Sequence, residues 1–374
     1  IMNLDFSDDQ KFLQSEARKF FDKEQACRRG RAVMDAGSDL DQDLWNQIVS
    51  MGWTGIRIPE QYEGLGLGHL ELCVIAEELG RSLAPVPFSS SVYLFTEILV
   101  KFANEDIKKD LLPKLVTGEC VGTLALTEQL FAPTEDNINT KVSNDLISGK
   151  KIAVADANAA THAIVVCQGD KGIELRLIDL SVKNCVLEKQ ATIDDTRGYA
   201  AIEFSNASSK VIGDAETGWS MLQNALDQAA VLFSFEQIGG AQAALDMATD
   251  YAKHRFAFGR AIGSYQGIKH KLADMYIALT LAKSNTYYGA WALSTDSSEL
   301  SVAAATARVS STEAFKLCAQ ENIQTHGGNG FTWEYDCHMF YRRAKVLSLN
   351  IGSLAVWKEK LISGLEKSNL ASAN

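Results

Sequence analysis

Two arginines, two phenylalanines and a glycine stand within six positions, Arg255-Phe256-Ala257-Phe258-Gly259-Arg260, and Gln266 follows six residues later. A guanidinium offers parallel N–H donors that match a phosphate in bidentate fashion, so Arg255 is a candidate anion ligand. Glycine permits close approach of backbone to a ligand, and inside a helix it costs about 1 kcal/mol relative to alanine. Apolar residues recur at helical spacing on both sides of this knot, so it interrupts a helical pattern. On spacing alone two readings stay open: a turn with a packing or functional role, or a helix–loop–helix corner with solvated arginines. Gln324-Thr325-His326-Gly327-Gly328-Asn329-Gly330-Phe331 is a second candidate for bare backbone against a ligand. Taken alone, it reads equally well as a glycine turn closing a helix.

Other chemistries are disfavoured. Seven cysteines, at 27, 73, 120, 167, 185, 318 and 337, are scattered without a Cys-x-x-Cys pair, which predicts free, mostly buried thiols in a reducing compartment. The six histidines show no metal-ligand spacing, so no metal site is expected. A net charge of -11 argues against a nucleic-acid surface, although a local basic patch can still hold an anion. No apolar run is long enough to span a bilayer, and the first residues lack a signal-peptide pattern. A cytoplasmic protein is expected, or a processed mitochondrial matrix protein if eukaryotic.

The elements that must position these residues fall into three segments of the 374-residue chain. Residues 1–121 read as all helical: a capping box at Ser7 and Gln10, then helices near Asp41–Met51, Leu70–Leu83, Val92–Phe102 and Glu105–Val116. Residues 122–215 read as a small antiparallel β domain, with strands near Thr123–Thr127, Leu146–Ile147, Ala163–Cys167, Glu174–Leu180 and Ala200–Phe204. Residues 216–374 contain no proline and predict long helices, Trp219–Arg255, Gln266–Ser294, Leu300–His326 and a last one beyond Arg342. The fold class is α+β, mainly α, ending in an antiparallel four-helix bundle.

The pattern Tyr251-x-x-x-Arg255-x-x-Phe258-Gly259-x-x-Ile262-x-x-Tyr265-Gln266, with Leu272-Ala273-Asp274-Met275 after it, resembles a signature of the acyl-CoA dehydrogenase family. The Gln324–Phe331 run resembles a second signature, and Gly52–Ile56 through Pro59, Tyr62, Gly64 and Gly66 a third. The order helix, sheet, bundle is also the family's layout. The resemblance implies FAD-dependent α,β-dehydrogenation of an acyl-CoA thioester, with an electron acceptor such as an electron-transfer flavoprotein. It implies an FAD shared between two subunits. One cradles the flavin ring, and its neighbour grips the pyrophosphate and adenosine. On the gripping side the family's positions match Arg255, Phe258, Gln266, Gln324, Gly327 and Gly328; on the cradling side they match Leu126, Thr127 and Ser353.

The cradling side departs from the family's pattern. Thr127-Glu128 is followed by Gln129-Leu130-Phe131-Ala132-Pro133 without the usual glycines, and Ala153-Val154-Ala155 stands where a Trp-Ile-Thr or Trp-Ile-Ser triplet is expected. Ile351 occupies the usual position of the catalytic glutamate. A minority of the family places that glutamate on the first bundle helix, where Ala229 and Ala230 align; Glu236, seven residues on, is the nearest carboxylate. A buried polar partner is the alternative role for Glu236. Three functional readings follow. The chain is a subunit that lends half an FAD site to a catalytic paralogue, and Glu77-Glu78-Leu79-Gly80-Arg81-Ser82-Leu83-Ala84-Pro85-Val86-Pro87 resembles the heteromeric steroid side-chain CoA-ester branch. It is a self-sufficient homo-oligomeric dehydrogenase with a relocated base. Or it is a non-redox scaffold.

Overall fold

A computed structural model of the chain describes residues 5–372. In chain order its helices are α1 (Asp8–Glu24), α2 (Ala26–Ala36), α3 (Gln42–Ser50), α4 (His69–Ser82), α5 (Glu97–Phe102) and α6 (Glu105–Val116). After the strands come α7 (Gly218–His254), α8 (Gln266–Ser294), α9 (Leu300–His326), α10 (Cys337–Leu347) and α11 (Leu354–Ser372). The strands are β1 (Gly122–Ala125), β2 (Lys141–Ser143), β3 (Leu146–Ala155), β4 (His162–Gln168), β5 (Ile173–Asp179), β6 (Cys185–Gln190), β7 (Tyr199–Ser208) and β8 (Lys210–Ile212). A two-residue hairpin, β9 (Phe256–Ala257) and β10 (Arg260–Ala261), separates α7 from α8. The protein is mainly helical, with its main sheet formed by the middle of the chain.

Chain contacts gather these elements into two units: the described part of Ile1–Arg28 with His69–Ala84 and Ala230–Asn374, and Arg29–Gly68 with Pro85–Ala229. Neither is continuous in sequence, so the units cut across the segments 1–121, 122–215 and 216–374. The reason is local packing: α1 and α4 contact each other, and α4 contacts α8. A Cβ added at Gly239 of α7 would lie 1.9 Å from the Glu77 carbonyl oxygen of α4. One added at Gly80 would lie 1.8 Å from the Glu236 carbonyl oxygen. Two facing glycines thus bring these helix backbones into contact. Around them Phe6, Phe235 and Tyr287 cluster with ring centroids 4.9–6.0 Å apart.

The second unit holds the sheet, in the order β6-β7-β3-β2-β4-β5-β8, with β1 beside β4. The five central residues of β4, Ala163–Cys167, are all buried, as expected of an interior strand. The sheet is mixed and not purely antiparallel, because β1 pairs parallel with β4, Thr123 opposite Ala163, and β2 meets β4 parallel at Lys141 and Gln168. Its core is formed by residues such as Val154, Val165, Ile178, Ile202 and Phe204. Ser89–Thr96 is a π-helical segment, where a straight α-helix is expected from sequence. Its buried serines are tied inward. Ser90 Oγ donates to Asp156 Oδ2 at 2.5 Å, and Arg197 donates to Ser89 Oγ at 2.7 Å and pairs with Asp156.

Candidate functional site

The helical unit brings the two glycine-rich motifs together through Tyr251. One turn before Arg255, its ring stacks on His326 with centroids 4.0 Å apart. Its hydroxyl accepts from Asn329 Nδ2 at 3.0 Å, and Tyr335 packs edge-on against both rings. The end of α7 is therefore fixed to the end of α9. Burial lowers the His326 pKa, which favours the neutral ring in the stack.

Between α7 and α8 the hairpin is closed by Ile262 N–H donating to Arg255 O at 2.8 Å and Tyr265 Oη to Ala257 O at 3.0 Å. The Arg260 guanidinium lies over the Tyr265 ring at 3.9 Å. The turn itself uses positive φ at Phe258 (52°) and Gly259 (81°), which leaves Phe258 98% exposed. Arg255, Gln266 and Gln324 are exposed as well. Nothing lies within 4 Å of a Cβ placed on Gly259, Gly267, Gly327 or Gly328. This corner thus offers a guanidinium, the N-terminus of α8 and bare glycine backbone, all accessible, which is the donor set for a pyrophosphate. Lys253, His254, Arg260, Lys269 and His270 are exposed around it, so a chain of net charge -11 is locally basic here.

At the end of α10 a tight turn leads into α11. Trp357 Nε1 donates to Ile351 O at 3.1 Å, and Gly352 adopts φ 112°. Ile351 is held with only 6% exposure and carries nothing that titrates. Ser353 follows it, partly buried, its carbonyl accepting from Trp357 N–H at 3.2 Å. Glu236 is 3% exposed, and its Oε1 lies 3.6 Å from Arg343 Nη1. That is the setting of a buried counter-ion.

In the sheet unit, Leu126 and Thr127 leave β1 beside β3. Thr127 O accepts from Ile152 N–H at 2.8 Å. Lys151 Nζ, fully buried, donates to Leu126 O at 3.1 Å and to Glu128 Oε1 at 2.6 Å. The Glu128 carboxylate also accepts from the N–H groups of Asn139 and Thr140 at 2.6 and 2.9 Å. Burial pushes the Lys151 pKa down, against the opposing pull of Glu128. Two residues further β3 bulges: Ala153 has φ 51°, and its N–H donates to Gln190 Oε1 at 2.7 Å. Past Glu128 the loop exposes Leu130 and Phe131. Lys151, Gln190 and the Tyr251–His326 contact were not singled out from sequence.

Residues 7–119 match the model of the acyl-CoA dehydrogenase N-terminal domain, and residues 216–364 that of the acyl-CoA dehydrogenase C-terminal domain. The chain belongs to the acyl-CoA dehydrogenase family. Membership in it places the protein among oxidoreductases acting on acyl-CoA. Among its relatives, acyl-CoA dehydrogenase IpdE2 of Mycobacterium tuberculosis is 30% identical, over 84% of this chain and 84% of that protein. Mitochondrial isovaleryl-CoA dehydrogenase of Solanum tuberosum is 29% identical, over 97% of this chain and 92% of that protein. A variant of the Tcur3481–Tcur3483 steroid ACAD superposes with a TM-score of 0.87 at 26% identity, covering 97% of this chain and 99% of that one.

The family's FAD fits the two halves unequally. In the helical unit the open glycines and the exposed Arg255 leave room and donors for its pyrophosphate. In the sheet unit the Ala153 N–H is already taken by Gln190, and no aromatic or hydroxyl side chain occurs in Ala153-Val154-Ala155. Among the described residues no group of His, Cys, Asp and Glu suits a metal ion, and no helix is long and apolar enough to cross a membrane.

Proposed function

We propose that this acyl-CoA dehydrogenase family protein works as a subunit that lends the pyrophosphate and adenosine half of an FAD site to a catalytic partner chain. The observation that carries this reading is the contrast between Arg255 and Ile351. The donor corner around Arg255 is assembled and exposed, whereas the turn that would present a base holds a buried isoleucine.

α,β-Dehydrogenation of an acyl thioester needs a carboxylate to take the α-proton and donors at the thioester carbonyl; the flavin, when bound, accepts hydride from the β-carbon. In this chain Arg255 and the N-terminus of α8 would bind the diphosphate, while Gln324, Gly327 and Gly328 would let backbone approach the adenosine side. Phe258 and Gln266 would flank the same group. Leu126, Thr127 and Ser353 are the positions left to meet a flavin, and Lys151 with Glu128 holds the first two in place. No proton acceptor stands at position 351. General-base assistance is worth about 10²–10⁴-fold, so this chain alone is expected to turn over an acyl-CoA very slowly. Glu236 as a relocated base is the competing account, and its approach to Arg343 speaks for the counter-ion role.

Exposed apolar surface supports the reading from another side. Phe256, Phe258 and Phe331 are exposed near the donor corner, and Tyr276, Ile277 and Leu281 are exposed along α8. Such apolar groups are expected to be covered by another chain of the family. The relationship to a steroid ACAD named for two components is compatible with a heteromer. Co-expression with the catalytic acyl-CoA dehydrogenase paralogue of the same source is expected to give a stable complex with flavin and acyl-CoA-dependent dye reduction. A paralogue that is equally active without this chain, and forms no complex with it, would overturn the proposal.

A further inference from the structure

We propose that Arg308, in the helical unit, forms one wall of a buried site for a small monovalent anion of the chloride class. Arg308 lies on α9 and is 1% exposed. Its Nη2 donates to the carbonyl oxygen of Leu347, the last residue of α10. Its Nε and Nη1 are buried and have no hydrogen-bond partner among the described residues. A buried donor without a partner costs on the order of 1–3 kcal/mol, and more when the group is charged.

The charge on Arg308 is the second part of the argument. Burial pushes its pKa down to about 9, with Glu236 pulling the other way, so the group is still a cation at neutral pH. The charged groups that bear on it are Glu236 of α7 and, through Glu236, Arg343 of α10. Glu236 Oε1 lies 3.6 Å from Arg343 Nη1. Apolar groups are close as well, and Ser311, one turn on, donates to the Arg308 carbonyl oxygen at 3.3 Å. The Phe233 ring centroid lies 5.7 Å from the guanidinium carbon, and Ala304, Ala305 and Ala307 beside Arg308 on α9 are fully buried. Water could satisfy the two donors, whereas an anion satisfies both and adds to the counter-charge that Glu236 supplies. Two donors left over on one guanidinium suit a single small negative charge better than a phosphate.

The test is a bromide soak of crystals of the whole protein, read by anomalous scattering, together with thermal melting in sodium chloride and sodium gluconate at equal ionic strength. The account predicts a bromide peak at hydrogen-bonding distance from Nε or Nη1. It also predicts a saturable rise in melting temperature with chloride that gluconate does not give. In Arg308→Met both effects should vanish. Ordinary water at both donors with no bromide peak would overturn the site, as would a chloride effect that persists in Arg308→Met. Should the variant fail to fold, the bromide peak in the unaltered protein still decides.

Discussion

Glu236 separates two accounts of this protein at the level of one carboxylate. As a buried partner of Arg343, its loss leaves a guanidinium short of a counter-charge, and breaking such a pair costs on the order of 3 kcal/mol. Glu236→Gln is therefore expected to lower the urea midpoint markedly, with no separate change in any flavin signal. A relocated base would show the reverse, a fold of ordinary stability and a lost reduction step. Glu77, on α4, gives a test at the same scale. Burial raises its pKa, and Lys283 pulls only partly against this. The folded state thus holds the Glu77 proton more tightly than the unfolded chain does. The stability this contributes is complete below the unfolded carboxylate pKa of about 4.3 and is lost as pH rises through the folded value. Glu77→Gln, which can still accept from Gln14, should melt higher than the unaltered protein at pH 8, with the difference shrinking towards pH 4. A difference that is constant with pH would contradict this.

At the scale of elements, the α4–α7 crossing is the most specific contact. Gly239→Ala sets a methyl against a backbone oxygen 1.9 Å away, which side-chain motion cannot relieve. The expected cost is about 1–3 kcal/mol in a denaturant titration; a neutral substitution would show that these helices can separate freely. This crossing was hidden in the sequence, because a glycine in a helix announces close approach without naming the partner. Several of the helices were legible. Glu105–Val116, Gln266–Ser294 and Leu300–His326 appear with the bounds their apolar spacing and caps predict. Three strands of the main sheet were not. Lys141–Ser143 and Lys210–Ile212 are three residues long, and Cys185–Gln190 carries only two strongly apolar side chains, Val186 and Leu187. Such strands exist through pairing with β3, β7 and β5, which is a long-range property. The parallel pairing of β1 is likewise not a local feature, and α10 was missed because its eleven residues mix charge and aromatic groups.

At the scale of the whole molecule, family and candidate donors were legible because they sit in compact motifs with little freedom to move apart. What fixes them was not, since Tyr251 and His326 are 75 positions apart in the sequence and meet only in the fold. A guanidinium–phosphate contact is worth about 1.5–3 kcal/mol, so Arg255→Ala should weaken FAD retention of an assembled complex by about 10–100-fold. Unchanged retention, measured by ultrafiltration at graded FAD, would remove Arg255 from the site. The most direct test of the central claim is flavin per chain, measured from the visible spectrum after denaturing the protein purified alone and then with its catalytic paralogue. The account predicts essentially no flavin alone, even after incubation with excess FAD, and flavin held in the complex. One flavin per chain in the protein purified alone would contradict it.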